Sequence, residues 1–295
     1  MSLINSIKYK LGQQYYRLGF LQFDELTLST NERFKKIKWL DTGSYSEGWF
    51  ADPFLLSCDD DKVEVLAEEW VYSQHKGRLV YLLIDRSCFK LKEKKVILEL
   101  DTHLSFPNII KQKDKTYVYP ENYQSGGVYI YEYDKLNKML RNPKLIIDQP
   151  LVDVQIVEIE HKFYAFGVLR KNGSMDETKQ VQIYVSDTLF GTYKYHQTIS
   201  NEHNQERGAG KIFEYKGEFY RPVQDCDKGY GTSTIIYKLS QNDNLFQEKE
   251  AFRLDTNHSK KLGLALHTFN FLNDICVIDG QDYHHFYLAK FLRRR

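Results

Sequence analysis

Asp52, Asp153 and His267 each open a short apolar run, at positions where packing alone would favour Val, Ile or Gly. Glu121 and Asp225 close two further runs, in VYPEN and YRPVQD. Ionisable groups that converge on a partly dry site are costly unless they are paired, bound to a metal or used in chemistry. Two carboxyl groups in unlike environments can divide acid–base work. One takes a proton from an incoming hydroxyl, while the other, its pKa raised by burial or by its neighbour, protonates a departing oxygen. Glycosidic chemistry uses that division, with the two groups facing each other across room for a sugar. Asp52, Asp153 and Glu121 are the candidate catalytic carboxyl groups. Glu69, Gln224 and Asp225 stand at comparable heights as candidate substrate contacts, Arg221 offers a guanidinium fork to phosphate or carboxylate, and Trp49 and Tyr230 offer faces on which a sugar ring stacks. His267 is a candidate ligand for a hydrated cation such as Ca²⁺. Plain structural roles compete with each of these. Asp52 can cap backbone amides before Pro53, Glu121 can be a hairpin-edge charge, Arg221 can form an inert pair with Asp225, and His267 can be a satisfied core histidine.

These residues are spaced by a repeat. Runs starting at Asp52, Pro107, Asp153, Gly210 and His267 recur roughly every 50 residues, each followed by a second strand (VEVLAEE, TYVYPEN, FYAFGVL, FYRPVQD, ICVIDGQ) and a third (LVYLLID, GVYIYEYD, VQIYVSD, STIIYKLS, HFYLAKFL). Period-2 alternation marks most of them as strands, and helical spacing is absent over the same windows. A unit of this length with three strands and room for a fourth is a propeller blade. The expected fold is therefore all-β, a five-bladed β-propeller over residues 31–295 preceded by a helical or irregular extension over 1–30. Within that extension Ile4, Ile7, Leu11 and Tyr15 fall at helical spacing on a basic stretch, which suits packing on the propeller's side or weak peripheral membrane contact. The segment Arg33–Leu40 is expected to add an outer strand that closes the ring against the last blade. Innermost strands of a propeller line one axis, so equivalent positions in five blades meet there.

The 22 Tyr and 18 Phe in 295 residues suit strands, whose pleated faces accept flat rings. Lys and Arg total 41 against 40 Asp and Glu, so no bulk field attracts nucleic acid and recognition must be local. The four cysteines show no metal-knuckle or redox spacing and read as reduced core residues. With no export signal and no long apolar segment, the expected location is cytoplasmic and no transmembrane segment is expected.

As an ordered set, WFADPFLL, HLSFP, VYPEN, SDTLFGTYKYH, RGAGKIFEYKGEFYRPVQDC and YGTS resemble the propeller domain of plant glucosamine inositolphosphorylceramide transferases and its bacterial relatives, a branch similar to glycoside hydrolase family 43. The likeness covers about residues 40–285. It implies an Asp base in blade one, matched by Asp52, a modulating Asp in blade three, matched by Asp153, and an ion-binding His in blade five, matched by His267. The Glu acid it implies at the start of blade four has no match, since that stretch reads Glu206-Arg207-Gly208-Ala209-Gly210. Arg207 there, with Arg221, would hold phosphate oxygens of a nucleotide-sugar donor. The expected function is transfer or hydrolysis at a glycosidic bond in cell-surface polysaccharide or glycolipid synthesis, with a sugar, glycan or nucleotide sugar as ligand. The competing expectation is a non-catalytic module that positions a glycan for a partner enzyme.

Overall fold

The computed structural model describes residues 13–170, 179–255 and 262–284. Two strands precede the repeats, β1 (Gln14–Gln22) and β2 (Lys38–Trp39). Blade one is β3 (Gly48–Cys58), β4 (Lys62–Val71), β5 (Lys76–Asp85) and β6 (Lys90–Leu98). Blade two is β7 (Ser105–Gln112), β8 (Lys115–Glu121), β9 (Val128–Asp134) and β10 (Met139–Ile147). Blade three is β11 (Leu151–Ile159), β12 (Lys162–Leu169), β13 (Gln180–Ser186) and β14 (Lys194–Ser200). Blade four is β15 (Phe213–Tyr215), β16 (Glu218–Asp225), β17 (Ser233–Asn242) and β18 (Leu245–Leu254). Blade five holds β19 (Phe269–Leu272) and β20 (Ile275–Tyr283), and takes its two outer strands from the other end of the chain, in the order β19-β20-β1-β2. The chain is a five-bladed β-propeller, and all its paired strands are antiparallel.

The N-terminal reading changes in one respect. Residues 14–22 form a strand, not a helix, and pair along their whole length with β20, from Gln14 opposite Tyr283 to Gln22 opposite Ile275. Leu18, Phe20 and Leu21 are buried between sheets, and that burial outweighs the weak helical pattern. Sheet structure thus starts at Gln14, inside the span expected to be an extension. β1 also takes the third-strand place that HFYLAKFL was expected to fill; residues 285–295, like Ile4, Ile7 and Leu11, lie outside the described residues. The outer strand expected from Arg33–Leu40 is present as β2, after a 3₁₀ turn over Asn31–Lys36. Because the last blade is completed by the first strand, no open sheet edge faces the ring seam.

Five apolar clusters fill the five gaps between neighbouring sheets. Leu18, Phe20, Phe50 and Val65 join blades five and one, and Phe54, Leu66, Ile109 and Val118 join one and two. Ile110, Tyr119, Val154 and Ile156 follow, then Phe166, Ile183, Ile212 and Phe246, then Ile236, Leu254, Phe269 and Ile278. Of the four free cysteines, Cys276 alone is buried.

Near the axis the blades are tied by side-chain amides. Asn108 Nδ2 donates to the Val154 carbonyl at 3.3 Å, Gln155 Nε2 to those of Gly210 and Pro222 at 2.7 and 2.9 Å, and Asn270 Nδ2 to that of Pro53 at 2.8 Å. Each serves a buried carbonyl of the next blade that would otherwise lack a partner. Asn270→Ala removes this bond and the one its Oδ1 accepts from the Lys211 amide. It should lower unfolding stability by about 1–3 kcal/mol, measured by urea denaturation. An unchanged midpoint would show that the tie contributes nothing.

Candidate functional site

The first strands of blades one to three share one irregularity. Two residues oppose one of the partner strand between Ala51 and Phe54, between Ser105 and Asn108, and between Val152 and Gln155. Each is a β-bulge whose first extra residue adopts left-handed backbone: Asp52 (φ 48°), Phe106 (φ 47°) and Asp153 (φ 48°). Asp enters that region at less cost than Phe. Blade two is therefore aligned on Phe106, one residue before the Pro107 suggested by the repeat. Phe106 is held by its own N–H, which donates to Asp52 Oδ2 at 3.0 Å, and by edge-on packing against Phe54.

Asp52 is 5% exposed and bridges three blades. Its Oδ1 accepts from the Thr268 hydroxyl at 2.8 Å and faces His267 Nε2 at 3.5 Å. Its backbone N–H donates to Asp279 Oδ2 at 3.0 Å. Asp279, which sequence reasoning missed, also accepts the amides of His267 and Thr268 and lies 2.7 Å from His267 Nδ1. His267 thus sits between two carboxylates. Burial by itself would lower its pKa, but Asp279 and then Asp52 hold it up at about 9. Asp52 moves upward from its ordinary value, through burial first and then the charges of Asp279 and Asp153, with the His267 cation opposing.

Asp52, His267 and Asp279 each bring one ligand atom within 4.8 Å of the others. This set does not fit calcium as a direct ligand cage. Calcium takes six to eight oxygens, whereas here one donor is an imidazole and the Asp279 oxygens already serve three backbone amides. The His267 imidazole instead lies between the two carboxylates.

Asp153 is 3% exposed and is held by Arg207, whose Nε donates to its Oδ2 at 2.6 Å, and by Gln224 Nε2 at 3.3 Å. Glu121 Oε1 accepts the Tyr123 amide at 3.1 Å and Oε2 the Ser105 hydroxyl at 3.2 Å. Burial, and then the charge of Asp153, push its pKa up to about 7. Tyr230 packs edge-on against His267, with Arg207 over its ring at 5.0 Å. On the other side Tyr16 stacks on His267 at 4.7 Å and leans on Trp49, which stacks on Trp70 at 5.6 Å and 4°. The mouth of the channel is thus rimmed by aromatic faces, and a cavity of about 290 Å³ lined by Tyr16, Tyr45, Trp49 and Tyr72 opens beside them. The Tyr16 hydroxyl is buried and has no hydrogen-bond partner among the described residues.

Three of the sequence-predicted residues are placed elsewhere. Glu69 is fully buried on the far side of its strand, bound to Arg78 at 2.6 Å, Lys94 at 2.5 Å and Tyr45 at 2.5 Å. Asp225 is bound by Arg253 and the Ser233 hydroxyl. Arg221 pairs neither with Asp225 nor with the channel. It forms a buried fork on Glu248 and donates to Gln155 and to the Glu206 carbonyl, so its N–H groups are not available to phosphate. The reason is strand alternation: the seventh residue of the second-strand heptapeptides, Glu69 or Asp225, turns away from the axis, and the sixth, Glu68, Glu121 or Gln224, turns towards it. Glu68 was missed, although the alignment of VEVLAEE with TYVYPEN sets it opposite Glu121.

The pH dependence of stability follows from His267. A group whose pKa is raised from about 6.5 to about 9 on folding contributes stability that is present below pH 6.5 and is lost as pH rises through 9. The thermal midpoint should fall between pH 7 and 9.5, and His267→Gln should flatten that fall while lowering stability at pH 7 by roughly 2–3 kcal/mol. An equally steep fall in the variant would show that the imidazolium is not its source.

The family model of "Glucosamine inositolphosphorylceramide transferase 1, N-terminal" matches residues 38–270. Glucosamine inositolphosphorylceramide transferase 1 of Oryza sativa subsp. japonica is 25% identical over 204 residues, 68% of this chain and 27% of that protein. The Arabidopsis thaliana protein of the same name is 28% identical over 148 residues, 49% of this chain and 19% of its own length. The chain therefore spans about a quarter or less of the curated relatives it matches. Among solved structures, an exo-β-1,3-galactanase from Phanerochaete chrysosporium with galactose superposes with a TM-score of 0.56 at 11% identity, covering 72% of this chain and 53% of that one. A thermostable family-43 glycoside hydrolase gives 0.54 at 15% identity, covering 77% and 84%. These likenesses are of fold. With a bulge-built carboxylate channel and a family match across the blades, this chain belongs to the glucosamine inositolphosphorylceramide transferase 1 N-terminal family.

Proposed function

We propose that this protein acts on a glycosidic bond, by transfer or hydrolysis, at the mouth of the central channel. The observation that carries this reading is the pairing of unlike carboxyl groups on one axis. Asp52 lies against the His267 cation, which favours its ionised form, whereas Glu121 is held towards its neutral form. A base and an acid present together in one aromatic-rimmed site are what single displacement at a sugar carbon needs. Arg207 holds Asp153 through Nε, and its guanidinium is the group we assign to an anionic part of a substrate. The relatives' name suggests a place in glycolipid or cell-surface polysaccharide synthesis, and a cytoplasmic location is part of the same proposal. No helix among the described residues is long and apolar enough to cross a membrane.

One observation favours a second reading, a non-catalytic module that positions a glycan. Blade four offers Arg207, bound to Asp153, where the family 43 resemblance implies an acid. A thermal-shift screen with simple glycosides and nucleotide sugars should return at least one stabilising ligand, since a ligand of the native state raises the midpoint with its occupancy. For a hit that is turned over, Asp52→Asn should cut the rate by 10²-fold or more while binding stays within about tenfold. Binding without any turnover by the parent protein sinks the enzymatic reading and leaves the module.

The rate should follow a bell in pH. It rises as Asp52 ionises and, with Glu121 as the acid, falls above about 7 as that glutamate loses its proton. A rate that climbs steadily to pH 9 would remove Glu121 as the acid.

A further inference from the structure

Glu68 stands outside every role assigned above. It pairs with Ala51, directly beside the bulge that presents Asp52, as Glu121 pairs with Ser105 beside the bulge at Phe106. It is 5% exposed, and among the described residues its carboxyl accepts no backbone N–H, whereas both oxygens of Glu121 do accept hydrogen bonds. Its carboxyl faces His103. The Gly77 N–H donates to His103 Nδ1 at 2.8 Å, so the ring proton of the neutral imidazole is on Nε2, which faces Glu68 Oε1 at 3.7 Å. A side chain at position 77 would collide with both Glu68 Oε1 and the His103 ring, so Gly77 makes the room in which they meet.

The groups around Glu68 leave it protonated. Asp52 from β3, Glu121 from β8, Asp279 from β20 and Asp153 from β11 are all acidic, and Tyr16 from β1 is a neutral phenol. Burial first, and then Asp52, push Glu68 well above the usual carboxylate range. Burial pushes His103 down to about 4, so it brings no positive charge to offset them.

We propose that Glu68 is the proton donor of the channel, placed by the His103–Gly77 contact with Oε1 turned to the imidazole and Oε2–H directed at the substrate's departing oxygen. This rests on the glycosidic reading above. The proton of Oε2 passes to the glycosidic oxygen as the bond from that oxygen to the sugar carbon breaks, and the bonding pair leaves with the oxygen as an alcohol. The oxygen of the incoming hydroxyl bonds to the same carbon, and its proton passes to Asp52. A donor of this kind is needed for an alkoxide leaving group and not for a diphosphate. The substrate class is therefore a glycoside or glycan, with Arg207 contacting an anionic group elsewhere on it.

The test compares the parent, Glu68→Gln and Glu121→Gln on phenyl and 2,4-dinitrophenyl glycosides of glucose, galactose, xylose, arabinose and glucosamine, with infrared difference spectra at pH 7. In Glu68→Gln, kcat/KM should fall 10²- to 10⁴-fold on the phenyl glycoside that the parent cleaves and less than tenfold on its dinitrophenyl counterpart. One neutral-carboxyl C=O component present in the parent should be missing from Glu68→Gln and retained in Glu121→Gln. Glu68→Asp, which keeps the group but shortens its reach, should retain the band and lose rate on the phenyl glycoside alone, so an unstable Gln variant does not end the test. Equal losses with both leaving groups, or no component of the band lost in Glu68→Gln, overturn the donor and leave the glycosidic reading standing. A parent that cleaves none of these glycosides overturns both.

Discussion

A single extra residue in the innermost strand is the constraint on which the site depends. In blades one to three it forces one residue into left-handed backbone and swings its side chain to the axis, delivering Asp52 and Asp153. The same offset sets which face of the neighbouring strand meets the channel, and so selects Glu68 and Glu121 over Glu69 and Asn122. At Phe106 the conformation costs roughly 1–2 kcal/mol, offset by an amide bond to Asp52 and burial against Phe54. Asp52 is therefore chemistry and scaffold together, since its carboxylate holds blades two and five as well as facing the channel.

Charge balance decides what the channel can do. Asp52, Glu68, Glu121, Asp153 and Asp279 are all buried, and ionising all of them in low dielectric would be prohibitive. Arg207 balances Asp153, and the His267 imidazolium is shared by Asp279 and Asp52. Among the described residues no cation pairs directly with Glu68 or Glu121, and Arg207 opposes burial at Glu121 only in part, so both carboxyl groups are held towards their neutral form. Neutral acids beside an ionised base emerge from the count of charges and not from any one residue's identity. The Arg207 that replaces an expected acid in blade four belongs to this balance, because it neutralises Asp153 without adding another proton-hungry group.

The ring seam explains why a site spread over all blades stays together. β1 supplies the third strand of blade five, so Tyr16 and the seam cluster of Leu18 and Phe20 lie beside the stacked Trp49 of blade one. The aromatic rim and the closure of the propeller are thus one construction, and loosening either would disturb the other.

The sequence by itself determined the five blades, their strands and the presence of Asp52, Asp153, Glu121, Gln224 and His267 near one axis. Anchors that recur roughly every 50 residues and strand alternation are local signals, and closure of the ring follows from their number. It also made legible the outer strand at Lys38–Trp39. Only the tertiary structure decided the partners. Whether Arg221 met Asp225 or Glu248, whether Glu68 or Glu69 faced the channel, and whether residues 14–22 were helix or strand all turned on contacts between segments far apart in the chain. A one-residue bulge is nearly silent in composition, yet it reverses every side chain beyond it. Asp279 was invisible for a related reason: an acid in the middle of ICVIDGQ has meaning only once His267 and the amides of blades one and five close around it.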